Sequence, residues 1–78
     1  MFERRNGGGG MTAKEMFEAL GWKIVQDDKY IIEYTITKHY PSILIFHLVY
    51  KEYHCNNAIS VDTNQAITQK MKELGWIE

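Results

Sequence analysis

The chain has one cysteine and one proline in 78 residues, and four of its six glycines lie in a single tract. A lone Cys55 excludes a disulfide within the chain. Long apolar runs are also missing: Ile43-Leu44-Ile45-Phe46 stops at His47, far short of the length that spans a bilayer. The start, Met1-Phe2-Glu3-Arg4-Arg5, lacks the apolar stretch of a secretory signal. Nor is there an excess of positive charge. Apart from Arg4, Arg5 and Glu3, the chain sets seven lysines against nine carboxylates, for a formal net charge of −1 overall. No basic stripe is available to neutralise phosphates, so nucleic acid is not an expected partner. These absences predict a reduced protein of the cytosol with no membrane association.

The composition that remains, 45% hydrophobic and 13% aromatic, is that of a folded domain rather than a disordered chain. A chain of this length makes one small core, burying roughly 60% of the surface its unfolded form exposes. Residues 1–10 differ in kind. Asn6-Gly7-Gly8-Gly9-Gly10 has almost no side chain to pack and much backbone entropy to lose, so residues 1–10 are expected to form a disordered leader ahead of a single domain over 11–78. A phosphate-cradling loop would need a preceding strand and a spaced glycine or Gly-Lys-Ser/Thr pattern, and neither is present. Tandem glycine codons can spell a purine-rich ribosome-binding signal, which makes Met11 the expected natural start.

Two helices are punctuated in the same way. Thr12-Ala13-Lys14-Glu15 is a capping box, Met11 and Met16 occupy the staple positions around it, and Ala13, Met16, Phe17 and Leu20 form one apolar stripe. Leu20-Gly21-Trp22 should end this helix, with Gly21 in the left-handed region and Trp22 folding back on Phe17. The triplet recurs as Leu74-Gly75-Trp76 after Ile67, Met71 and Leu74 at helical spacing, with either Ser60 or Asp62 as the N-cap. Similarity beyond the two stops is poor: Met16 aligns with Lys70 and Ala19 with Glu73. A shared helix stop therefore accounts for the repeat better than a duplicated unit.

Between the helices the period changes to two. Tyr30, Ile32, Tyr34 and Ile36 alternate with Ile31, Glu33, Thr35 and Thr37, and a shorter strand over 22–26 leads into them through Asp27-Asp28. Pro41-Ser42 precedes an apolar strand over 43–49, and a last strand should run over 52–55. An even-numbered loop between these two would set Leu48 opposite Tyr53, His47 opposite His54 and Phe46 opposite Cys55. Leu44, Phe46, Leu48, Tyr53 and Cys55 then share a core face. The expected fold is α+β: a short helix, an antiparallel meander of about four strands and a C-terminal helix (αββββα), both helices on one sheet face.

Met11-Thr12-Ala13-Lys14-Glu15-Met16-Phe17-Glu18, the aromatic-rich middle and Gln69-Lys70-Met71-Lys72-Glu73-Leu74-Gly75-Trp76 resemble short uncharacterised proteins encoded by phages and prophages of Gram-positive bacteria. The resemblance covers residues 11–77 and rests on caps and core positions. It implies a phage setting in the cytoplasm of a bacterial host, and action by binding a host or phage protein. It carries no catalytic residue.

No catalytic constellation stands out. The register above puts Cys55 on the opposite sheet face from His47 and His54, so a thiol nucleophile with a histidine base is not expected. The opposed His47 and His54 would supply two metal ligands, fewer than the three or four of zinc sites. His39 precedes the proline with no evident partner, and Asp27-Asp28 is a solvated turn. The sequence thus predicts no enzyme, metal or cofactor, and a protein that works by binding another protein, with inhibition of a host defence or enzyme as one outcome. The alternative is a structural homodimer formed through the sheet. In either case the candidate interface is the open sheet face, carrying Ile31, Thr35, Ile43, Ile45, His47, Val49 and His54 together with Thr37.

Overall fold

A computed structural model describes residues 10–37 and 41–78. The leader expected over 1–10 falls, but for Gly10, outside the described residues, as does His39. The elements follow the order α1 (Ala13–Leu20), β1 (Lys23–Asp27), β2 (Ile31–Ile36), β3 (Ser42–His47), β4 (Glu52–Cys55) and α2 (Val61–Glu73). The four strands form one antiparallel sheet in sequential order, β1-β2-β3-β4, the meander that the alternating pattern predicts.

The start of α1 is held by the predicted box. Thr12 Oγ1 accepts from the Glu15 amide at 3.2 Å, and Glu15 Oε1 accepts from the Thr12 amide at 2.9 Å. A third acceptor comes from the far end of the fold, where Glu73 Oε2 accepts from the Ala13 amide at 2.8 Å and from Gln69 Nε2 at 3.1 Å. A carboxylate facing the first turn of a helix also complements its dipole. Ser60, not Asp62, is the N-cap of α2, its hydroxyl accepting from the Thr63 amide at 3.1 Å. Trp22 Nε1 donates to Thr63 Oγ1 at 3.4 Å. These two ties, one near each end, set α1 and α2 antiparallel.

Both Leu-Gly-Trp triplets close a Schellman motif. Gly21 N donates to Glu18 O and Trp22 N to Phe17 O; Gly75 N donates to Lys72 O and Trp76 N to Met71 O, all at 2.9–3.1 Å. The glycines have φ of 95° and 77°, where a β-carbon is strained. Open space around Gly75 and an ordinary 3.5 Å contact with Ile36 at Gly21 leave backbone strain as the main penalty for adding one. Gly21→Ala and Gly75→Ala are each expected to lower stability by about 1 kcal/mol in urea denaturation, with valine worse at both sites. Unchanged midpoints for both alanine variants would remove the shared-stop account.

The core lies between the helix pair and one face of the sheet. Ala13 and Phe17 of α1, Trp22, Ile32 and Tyr34 of β2, Leu44 and Phe46 of β3, and Ala66 and Ile67 of α2 are buried together. Four aromatic rings form its centre: Phe17 stacks on Tyr34 with centroids 4.3 Å apart, and Phe17–Phe46, Tyr34–Phe46 and Phe17–Trp22 meet edge to face at 6.3 Å.

The β3–β4 register differs from expectation by two residues. Phe46 lies opposite Tyr53, Leu44 opposite Cys55, Ile45 opposite His54 and His47 opposite Glu52. The connection is four residues long, 48–51, rather than the two residues between the expected strands, and it turns with Lys51 at φ 57°, a left-handed conformation that a lysine does not announce. The Leu48 amide donates to Tyr30 O at 2.9 Å instead of continuing β3 along β4. A two-residue slip preserves which face each side chain occupies, so Leu44, Phe46, Tyr53 and Cys55 remain on the core side.

Candidate functional site

The sheet face turned away from the helices is ordered in three cross-strand rows. Lys23, Thr35 and Ile43 form one; Gln26, Glu33, Ile45 and His54 form the middle one; Ile31, His47 and Glu52 form the third. Isoleucines fall here because period-two alternation sends Ile31, Ile43 and Ile45 to the face opposite Ile32, Leu44 and Phe46. Ile31, Glu33, Thr35, Ile45 and His47 are half-buried by their own neighbours, whereas Ile43 and His54 are exposed.

Six of the seven residues expected at the interface therefore share this face: Ile31, Thr35, Ile43, Ile45, His47 and His54. The seventh does not. Val49 sits in the 48–51 turn, 66% exposed and beyond the end of β3, because the chain leaves the strand two residues earlier than its apolar run suggests. Thr37 lies one residue past β2. Glu33 was not foreseen as part of the surface, and it is cross-strand to Ile45 at the centre of the middle row. Its position follows directly from its place between Ile31 and Thr35 in the alternation.

One end of the face, at the start of β3, is fixed by two asparagines. Asn56 Oδ1 accepts from the Ile43 amide at 2.8 Å and the Asn56 amide donates back to Ile43 O at 3.2 Å, extending the β3–β4 ladder past Cys55. Asn57 Nδ2 donates to Pro41 O at 3.0 Å and to Ser42 Oγ at 2.8 Å, pinning the start of β3. Across the sheet, Asp28 closes the β1–β2 turn. Its carboxylate accepts from Gln26 Nε2 and from the Ile31 and Tyr30 amides at 2.8–2.9 Å, and these bonds hold its pKa below the ordinary aspartate value.

His47 and His54 do not oppose each other, as the expected register had them. His47 faces Glu52 and His54 faces Ile45, which leaves the imidazoles in adjacent rows. Among the described residues no group of three or more His, Cys, Asp or Glu side chains is placed to hold a metal ion. Cys55, a half-buried free thiol, lies across from Leu44 on the core side, away from both imidazoles. No helix among the described residues is long and apolar enough to cross a membrane. Comparison with protein-family models, curated proteins and solved structures found no match.

Proposed function

We propose that the domain is a non-enzymatic binding module whose open sheet face receives another protein, in keeping with its resemblance to short phage-encoded proteins that would act on a host or phage partner. The observation that carries this reading is the set of three isoleucines, Ile31, Ile43 and Ile45, on a face that no helix among the described residues covers. Contiguous apolar surface rimmed by polar groups marks protein interfaces, and Lys23, Gln26, His47, His54 and Glu52 supply the rim. A central glutamate among the isoleucines adds a requirement for a matching donor or cation, since a carboxylate desolvated without one is costly.

The test is capture from lysate of a Gram-positive host with the wild-type protein and with Ile45→Asp, paired with a measurement of solution mass. The side chain of Ile45 points away from the buried layer, so the variant should keep its fold and lose its partner. If wild type proves dimeric and Ile45→Asp monomeric, the same rows serve a homodimer. An unfolded Ile45→Asp would show that Ile45 belongs to a core, and a folded variant with unchanged association would place the interface elsewhere.

A further inference from the structure

A second concavity lies on the other side of the sheet, where α1 and α2 stop short of the edge strand. All five residues of β1 are exposed, including Ile24, which faces the core side opposite Tyr34. The gap encloses about 450 Å³, within the range of small-ligand sites. The aromatic pair Trp22 and Tyr34, 6% and 4% exposed, is the buried part of its lining. Tyr34 is the informative one, because its hydroxyl makes no hydrogen bond with any described residue although the residue is more than nine-tenths buried. Buried hydroxyls normally have partners, and one left without at the base of a cleft points to a group supplied from outside.

The charged lining carries both signs. Lys14, Lys23 and Lys70 stand with Glu18 and Asp27, and none of these five side chains makes an ion pair or hydrogen bond with a described residue. A purely cationic ligand would meet three lysines, and a purely anionic one would meet two carboxylates. A ligand with one charge of each sign finds partners for both. Spacing narrows the class further. Lys14 and Glu18 are four residues apart on α1, so their β-carbons lie on one helix face about 5–6 Å from each other. Lysine preceding glutamate is the weaker order for such a pair, and the two heads stay open to other partners. Opposite charges one helical turn apart suit an ammonium and a carboxylate carried on one carbon atom. The Tyr34 hydroxyl both donates and accepts, so it adds a polar contact without choosing a sign.

We propose that this cleft binds a free α-amino acid, its carboxylate at Lys14 and its ammonium at Glu18, with the side-chain stem against Trp22 and Ile24 and an uncharged polar tip at the Tyr34 hydroxyl. The tip is uncharged because Trp22 and Tyr34 supply no counter-charge, and a charge desolvated against them is costly. Lys23, Asp27 and Lys70 continue the mixed field and disfavour a ligand of large net charge. Glutamine, with two methylenes and an amide, has this chemistry. This site is on the opposite layer from the open face and stands independently of the function proposed for that face.

The experiment is a titration followed by amide and indole NMR shifts of the intact protein. L-Glutamine should move the Trp22 indole, Ile24 and Tyr34 resonances saturably. Nα-acetyl-glutamine, which lacks the ammonium, and glutamine α-amide, which lacks the carboxylate, should each bind about tenfold more weakly; tenfold corresponds to about 1.4 kcal/mol. Two variants cross with these probes. Lys14→Gln should weaken glutamine and acetyl-glutamine but not the α-amide, whereas Glu18→Gln should weaken glutamine and the α-amide but not acetyl-glutamine. Both side chains are exposed, so the fold is retained. Tyr34→Phe should weaken glutamine several-fold and leave norleucine, which has no polar tip, unchanged. The proposal is overturned by no saturable shift with glutamine, by either singly charged derivative binding as tightly as glutamine, by equal losses for all three probes in both variants, or by a Tyr34→Phe loss that norleucine shares.

Discussion

Phe46→Ala is expected to leave much of the protein unfolded at 25 °C. Removing a fully buried phenylalanine costs about 3–5 kcal/mol, from lost burial and from the cavity left behind. Stability of about 0.05–0.15 kcal/mol per residue gives a small domain little more than that to lose. Phe46 is 0% exposed, and its ring meets Phe17 of α1, Tyr34 of β2, Tyr53 of β4 and Trp76 beyond α2, all at 6.0–6.3 Å. One deletion thus loosens contacts between both layers. Near-ultraviolet circular dichroism and urea denaturation would measure the loss, and Phe46→Leu should recover most of it because much of the volume returns. A midpoint unchanged by Phe46→Ala would mean that this ring cluster does not hold the layers together.

The second large effect separates the two tryptophans of the repeated triplet. Trp22→Ala should cost about 3–5 kcal/mol, as expected for a buried aromatic. Trp76→Ala should cost about 1–2 kcal/mol, in proportion to its partial burial. Trp22 is 6% exposed, meets Phe17 edge to face and donates its indole N–H to Thr63, tying α1 to the start of α2. Trp76 is half-buried and touches Phe46 at 6.2 Å. Trp22→Phe keeps much of the ring and removes the donor, so it isolates the Thr63 bond at about 1 kcal/mol. Equal losses for the two alanine variants would show that the helix stop, common to both triplets, matters more than the depth of the ring.

What the sequence makes legible here is local chemistry. The Thr12–Glu15 box, the two glycine stops and the period-two alternation each act within a few residues, so elements and faces follow from reading the chain in short windows. The 48–51 turn does not: it contains no glycine, asparagine or proline, and the backbone there is set by Lys51 adopting a left-handed conformation that its type disfavours. Leu48 and Val49 consequently read as strand, and this displaced the β3–β4 register and placed Val49 on the open face. Glu73 binding the Ala13 amide was equally invisible, because 60 positions separate them and only the packed helices bring them together. Of the open face, the isoleucines and histidines were readable from alternation, and Glu33 was readable by the same rule though its charge drew attention away from an apolar surface. The cleft beside β1 could not be read, since it depends on where the helices stop over the sheet.

That link between Ala13 and Glu73 also constrains when the chain can fold as it is made. α1 emerges from the ribosome ahead of the four strands, yet one of its leading amides finds its carboxylate only after nearly all of α2 has followed, and Ala66 and Ile67 arrive equally late to close the core over Phe17. The nascent meander must wait with its inner face open to solvent and to neighbouring chains. The domain therefore closes in one late collapse rather than in stepwise docking, because its two layers meet only once α2 is complete.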